Sequence, residues 1–138
     1  MAALQAFHLA IPVHDLDAAR GFYSALGWEE KRSGRRWIEY DLMGHQIVAH
    51  LVPDSKREII LPITDMRHVP VPHFGVVLTI PQWRQLVARV REAGLHFALE
   101  PMIEAEGEAD EHATLFLCDP SGNTFEFKAF ANPEQLFG

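Results

Sequence analysis

The feature that most narrows the folds open to this chain is that its second half repeats the order of its first. Residues 6–13 alternate as a strand does, with Phe7, Leu9, Ile11 and Val13 on one side and Ala6, His8, Ala10 and Pro12 on the other. Asp15 or Asp17 suits the cap of a helix whose apolar stripe runs through Leu16, Ala19, Phe22, Tyr23 and Leu26. Gly27 follows, in the place where a left-handed backbone closes many helices. The same order returns from His73: a strand over 73–80, Pro81 in a first helical turn, the stripe Leu86, Val87 and Val90, and then Gly94. Three further strands are expected after each helix, at 29–32, 36–42 and 46–52, then at 95–99, 114–118 and 123–130. The expectation is an α+β chain of two βαβββ modules, about 5–52 and 72–130, joined by a proline-punctuated linker over 53–71. A long acidic loop is expected at 101–111, with the length of a lid.

Composition removes several classes of function. With 138 residues, the chain is expected to be a single domain over 1–138, and 48% apolar content is enough for a core and argues against disorder. A net charge of -7 with no basic stripe argues against tracking nucleic-acid phosphates. The lone Cys118 excludes an internal disulfide framework, fits a reducing compartment and reads as an inert, partly buried thiol. Residues 1–5 carry no basic stretch leading into an apolar run, and no apolar segment reaches bilayer length. A cytoplasmic location is expected. Trp28, Trp37 and Trp83 read as packing anchors, because nothing basic interleaves them.

The side of each opening strand that lacks bulky groups carries one strong ligand. His8 has Ala10 two places on, and His73 has Gly75. On the closing strand, Glu126 stands between Thr124 and Lys128, opposite Phe125 and Phe127. Two imidazoles from repeated positions and one carboxylate make a 2-His-1-carboxylate set, suited to a divalent metal with open positions. Small neighbours are expected to leave room for a bound molecule.

The motifs His8-Leu9-Ala10-Ile11-Pro12-Val13 with Asp15-Leu16-Asp17, Phe22-Tyr23, and Asp119-Pro120-Ser121-Gly122-Asn123 leading to Glu126 carry a resemblance. From about His8 to about Phe130 the chain resembles the vicinal oxygen chelate superfamily of glyoxalases, extradiol dioxygenases and bleomycin-resistance proteins. The resemblance implies an open, barrel-like mixed sheet around a metal cleft, with His8, His73 and Glu126 as ligands and frequent dimers. A homodimer is expected, with the modules pairing within one chain or across two. Glyoxalase-like members add a carboxylate on the last strand of the first module, where this chain offers Gln46, Val48 and His50. Ring-cleaving members leave that position open and keep a histidine nearby, which His50 resembles as the acid-base group.

The resemblance thus implies an extradiol-type dioxygenase acting on a small catechol-like or vicinal-oxygen substrate. Fe(II) is the expected metal, with Mn(II) and Zn(II) as alternatives. Gln46, His112, Phe116 and Lys128 are the candidates to line the substrate, although Phe116 stands where such enzymes usually have a tyrosine. The rival readings are a metal-assisted isomerase or lyase of glyoxalase type, and a metal-free binder of hydrophobic ligands.

Overall fold

A computed structural model describes residues 5–138, so residues 1–4, most of the N-terminal stretch read above for a targeting pattern, lie outside the described residues. The chain forms two compact units. One holds residues up to Glu58 together with Asp119–Asn123, and the other holds Ile59–Cys118 with Thr124–Gly138.

In unit 1 the elements are β1 (His8–Val13), α1 (Leu16–Ala25), β2 (Glu29–Ser33), β3 (Trp37–Leu42) and β4 (His45–Leu51). Asp15 is the helix cap, its carboxylate accepting from the Ala18 amide, and Gly27 closes the helix at φ 84°. The sheet order is β1-β4-β3-β2, with β1 parallel to β4 and the others antiparallel. One face of this sheet packs on α1 through Ile11, Val13, Ile38, Tyr40 and Ile47, all nearly inaccessible. Tyr23 stacks on Trp28 at 4.5 Å between ring centroids and lies 5.3 Å from Tyr40. Burying one large apolar side chain stabilises by roughly 1.5–3 kcal/mol, so these rings outweigh the exposed ion pairs around them.

The turn Asp119–Asn123 completes unit 1 with a buried carboxylate. Asp119 Oδ1 accepts from the Ser121 and Asn123 amides, and Oδ2 accepts from the Tyr23 hydroxyl at 2.6 Å and from Asn123 Nδ2. Asn123 Nδ2 also donates to the Pro12 carbonyl, and the Arg57 amide donates to Ser121 O. The Tyr23 and Asp119-to-Asn123 motifs are therefore two halves of one hydrogen-bonded knot.

Unit 2 contains a short 3-10 turn (Met66–His68), β5 (Val77–Leu78), α2 (Ile80–Glu92), β6 (Leu99–Glu104), β7 (His112–Cys118), β8 (Thr124–Phe130) and a second 3-10 turn (Pro133–Leu136). Its order is β5-β8-β7-β6, the same plan as unit 1, and both sheets are open rather than closed into a barrel. Trp83, 2% exposed, anchors α2, donating its indole N–H to Phe127 O.

Three expectations shift here. The strand expected over 73–80 contracts to two residues, because Thr79 is taken as the cap of α2 in a capping box with Gln82. Phe74 makes one isolated bridge with Phe125. The strand expected at 95–99 lies instead at Leu99–Glu104, inside the supposed acidic loop. Pro101 is tolerated there because β6 is an edge strand whose register slips between Leu99 and Met102. The loop shortens accordingly, and His112 begins β7 rather than preceding it. The linker also packs: Ile63 and Val69 join Phe116, Ala98 and Leu99 in an apolar cluster, and the Ile63 amide donates to Ala98 O.

Candidate functional site

Unit 2 brings two of the expected ligands together. The Glu126 amide donates to Phe74 O at 2.7 Å, which ties β8 to the segment carrying His73. A Cβ on Gly75 would lie 1.5 Å from Glu126 O, so the missing side chain serves backbone approach and not space for a bound molecule. His73 Nε2 then lies 3.3 Å from Glu126 Oε1. The outer atoms of both groups are fixed: His73 Nδ1 donates to the Pro70 carbonyl at 2.7 Å, and Thr114 Oγ1 donates to Glu126 Oε2 at 2.7 Å. The Phe116 ring meets the imidazole edge-on at 5.1 Å.

This arrangement fixes a tautomer. The Pro70 carbonyl can only accept, so Nδ1 carries the proton and a neutral His73 turns a lone pair toward a carboxylate oxygen. Two lone pairs facing each other need a proton or a cation between them. Two ligands each about 2.1 Å from one ion, at roughly a right angle, lie about 3 Å apart, which this pair satisfies. Metal-bound histidines usually hold the other ring nitrogen on a carbonyl or carboxylate, as Pro70 does here. The pair therefore fits a divalent metal. A cavity of about 220 Å³ adjoins it, lined by His73, Gly75, Val77, Glu126 and Lys128.

Unit 1 presents His8 at the mouth of a cavity of about 360 Å³, shared with Lys31, Glu39, Asp41, His45 and Gln46. His8 Nδ1 lies 2.6 Å from Gln46 Oε1, and Gln46 Nε2 donates to Glu39 Oε2 at 2.6 Å. Arg32 donates to both Glu39 oxygens. Sequence reasoning missed Glu39, Arg32, Thr114 and Pro70. Glu39 was discoverable, because alternation along β3 puts it on the face that β4 shows with Gln46. Among the described residues, no group of three or more His, Cys, Asp and Glu side chains is assembled to hold a metal.

The remaining candidates have definite places. The pairings Phe74 with Phe125 and Val77 with Lys128 share one offset, which sets Thr124 beside His73 and Glu126 beside Gly75. In unit 1, His8 pairs with Gln46, so the counterpart of Glu126 is Val48 and that of Lys128 is His50. The fourth position is thus apolar, and exposed His50 stands two residues, or about 7 Å, further along β4. Phe116 is 0% exposed, so it supports the His73 ring from the interior and is not a substrate-contacting surface. His112 has both nitrogens occupied, Nδ1 by Asp110 O and Nε2 by Glu104 Oε2, and the Asp110 carbonyl foremost raises its pKa. His112 is thereby tied to its own hairpin. Lys128 is exposed.

Comparison with known proteins agrees with this architecture. The family model for the bleomycin resistance protein-like N-terminal region matches residues 5–32. A glyoxalase/bleomycin resistance/dioxygenase protein from Alicyclobacillus acidocaldarius is 33% identical over 96% of each chain, with a TM-score of 0.78. A glyoxalase/dioxygenase from Nostoc punctiforme is 17% identical over 94% of this chain and 92% of its own, with a TM-score of 0.65. The genomically encoded fosfomycin resistance protein of Listeria monocytogenes is 15% identical over 98% of each chain, with a TM-score of 0.66. The last two share the fold. No curated protein matches this chain. The doubled βαβββ unit is the architecture of the vicinal oxygen chelate class. Within it, this chain belongs to the glyoxalase/bleomycin resistance/dioxygenase family. No helix among the described residues is long and apolar enough to cross a membrane.

Proposed function

We propose that this protein is a metal-dependent enzyme of dioxygenase type, acting on a small molecule with adjacent oxygens, a catechol or its like. The observation that carries the reading is the approach of His73 Nε2 to Glu126 Oε1 at 3.3 Å, with the outer atoms of both groups already bonded. His8, the matching residue of the repeat, is the third ligand, supplied by the same chain or by a second copy in a homodimer. Fe(II) is the preferred occupant, with Mn(II) and Zn(II) as alternatives. When bound, such an ion acidifies the substrate hydroxyls and, as iron, engages dioxygen.

The chain's own residues supply the rest. Val48 at the fourth position offers no ligand, which leaves room for a substrate that binds through two oxygens. His50 takes a proton from a substrate hydroxyl and later returns it, a role suited to an imidazole, the side-chain type that exchanges protons around neutral pH. Lys128 offers a positive charge beside Glu126 for an anionic substrate group, and Gln46 lines the cavity beside His8.

The test is elemental analysis after reconstitution with Fe(II), Mn(II) or Zn(II), followed by oxygen uptake with a panel of catechols. Near-stoichiometric metal that is lost in His73→Ala and Glu126→Ala, with oxygen uptake under Fe(II), supports the reading. Absence of bound metal turns it to a hydrophobic-ligand binder. Bound metal with no oxygen uptake, but turnover of α-keto thiol adducts, turns it to a glyoxalase-like isomerase. His50→Ala is expected to reduce turnover about 100-fold or more while sparing metal content.

A further inference from the structure

The hydrogen-bond chain behind His8 has its direction set from the far end. Arg32 donates Nε to Glu39 Oε1 at 3.0 Å and Nη2 to Oε2 at 2.8 Å. Those bonds are the main reason the Glu39 carboxyl is held down to about 2, so Glu39 is a carboxylate and only accepts. Gln46 must then turn its amide nitrogen to Glu39 and its oxygen to His8. An amide oxygen also only accepts. The proton of a neutral His8 therefore sits on Nδ1, and Nε2 keeps its lone pair.

We infer that Glu39 and Gln46 are positioning residues, which hold His8 in the Nδ1–H tautomer and keep Nε2 available to coordinate. His8 is exposed, and water by itself does not select this tautomer; a free neutral imidazole favours the opposite one, with the proton on Nε2. Unit 2 reaches the same end by a different construction, with the Pro70 carbonyl on His73 Nδ1. Two unrelated devices that leave the same ring nitrogen bare are what a pair of Nε2 ligands requires. The tautomer follows from the hydrogen bonds alone; its use for coordination rests on the ligand reading of His8 above.

The test is imidazole nitrogen spectroscopy of the metal-free, 15N-labelled chain at about pH 8, where an ordinary imidazole is neutral. His73 serves as an internal reference. The wild type is expected to show Nδ1–H at both histidines. Glu39→Leu and Gln46→Met are expected to move His8 toward Nε2–H and leave His73 unchanged. Each variant should weaken Zn(II) and Mn(II) binding about 10- to 100-fold, and the double variant should be no weaker than Gln46→Met, since the groups act in series. A wild-type His8 protonated on Nε2, or one unmoved in both variants, overturns the inference. Should Glu39→Leu also disturb His73, Gln46→Met decides, because it leaves the Arg32–Glu39 pair in place. Full metal affinity in His8→Ala would remove the ligand reading while leaving the tautomer result standing.

Discussion

At the scale of single residues, two positions carry more than their chemistry suggests. Gly75 has no functional group, yet a methyl there would occupy the Glu126 carbonyl oxygen, which is backbone and cannot swing aside. Gly75→Ala is expected to cost about 3 kcal/mol or more, since the segment holding His73 must part from β8. Metal binding should fall with it, and urea unfolding alongside metal titration reads both. A variant of wild-type stability with intact metal affinity would show that the close approach is not required. Tyr23 is the second case. Its hydroxyl is one of four donors to the buried Asp119 carboxylate, and its ring is stacked on Trp28. Tyr23→Phe keeps the stacking and removes one charge-assisted bond, for an expected loss of about 1.5–3 kcal/mol by denaturant unfolding. The spacing of His8 and His73 made both visible in the sequence, whereas the reason for Gly75 did not show, because backbone proximity between distant strands leaves no local pattern.

At the scale of elements, the β2–β3–β4 face owes part of its cohesion to Glu39, which ties Arg32 on β2 to Gln46 on β4. Its carboxyl is lowered from 4.5 to about 2, mainly by the Arg32 hydrogen bonds and despite the opposing cost of burial. The sign of the linkage follows: a group depressed in the folded state contributes fully above its unfolded pKa and loses that contribution as pH falls toward the folded value. The stability difference between wild type and Glu39→Gln is thus expected to be constant above about pH 5 and to shrink between about 4.5 and 2. Urea midpoints across that range measure it, and added salt should diminish it because Arg32 is largely exposed. A difference that persists unchanged at pH 2 would show that the ion pair contributes nothing there. Periodicity located both helices and most strands, since each buries one clear stripe. It failed at β6, where Pro101 reads as a breaker although an irregular edge strand admits it, and at β5, where Thr79 alternates like a strand residue but caps a helix. Side-chain chains such as Arg32–Glu39–Gln46–His8 link three strands, and only the register reveals them.

At the scale of the whole molecule, the repeat was legible but the share that a distant turn takes in unit 1 was not. Reading in order suggests a first module that ends near residue 52, whereas unit 1 is completed by five residues drawn from between β7 and β8. The motif Asp119-Pro120-Ser121-Gly122-Asn123 looked like a turn, and it is one; its buried side chains nevertheless serve α1 and β1. Asn123 reaches the Pro12 carbonyl, Ser121 Oγ accepts from the His14 amide, and Gly122 lies against Arg57 so closely that a Cβ would sit 2.4 Å from its carbonyl oxygen. A fragment of residues 1–58 contains every strand of its sheet but leaves the Tyr23 hydroxyl and the Pro12 carbonyl without these partners. Stranding the buried Tyr23 hydroxyl alone costs about 1–3 kcal/mol, against a total of only about 5–15 kcal/mol for a typical domain. The fragment is therefore expected to lack a cooperative urea transition and the near-ultraviolet circular dichroism of its Tyr23–Trp28–Tyr40 cluster, while the full chain shows both. A fragment that unfolded sharply at the full-chain midpoint would mean that the distant turn contributes nothing, and that β1 through β4 with α1 already make a self-sufficient fold.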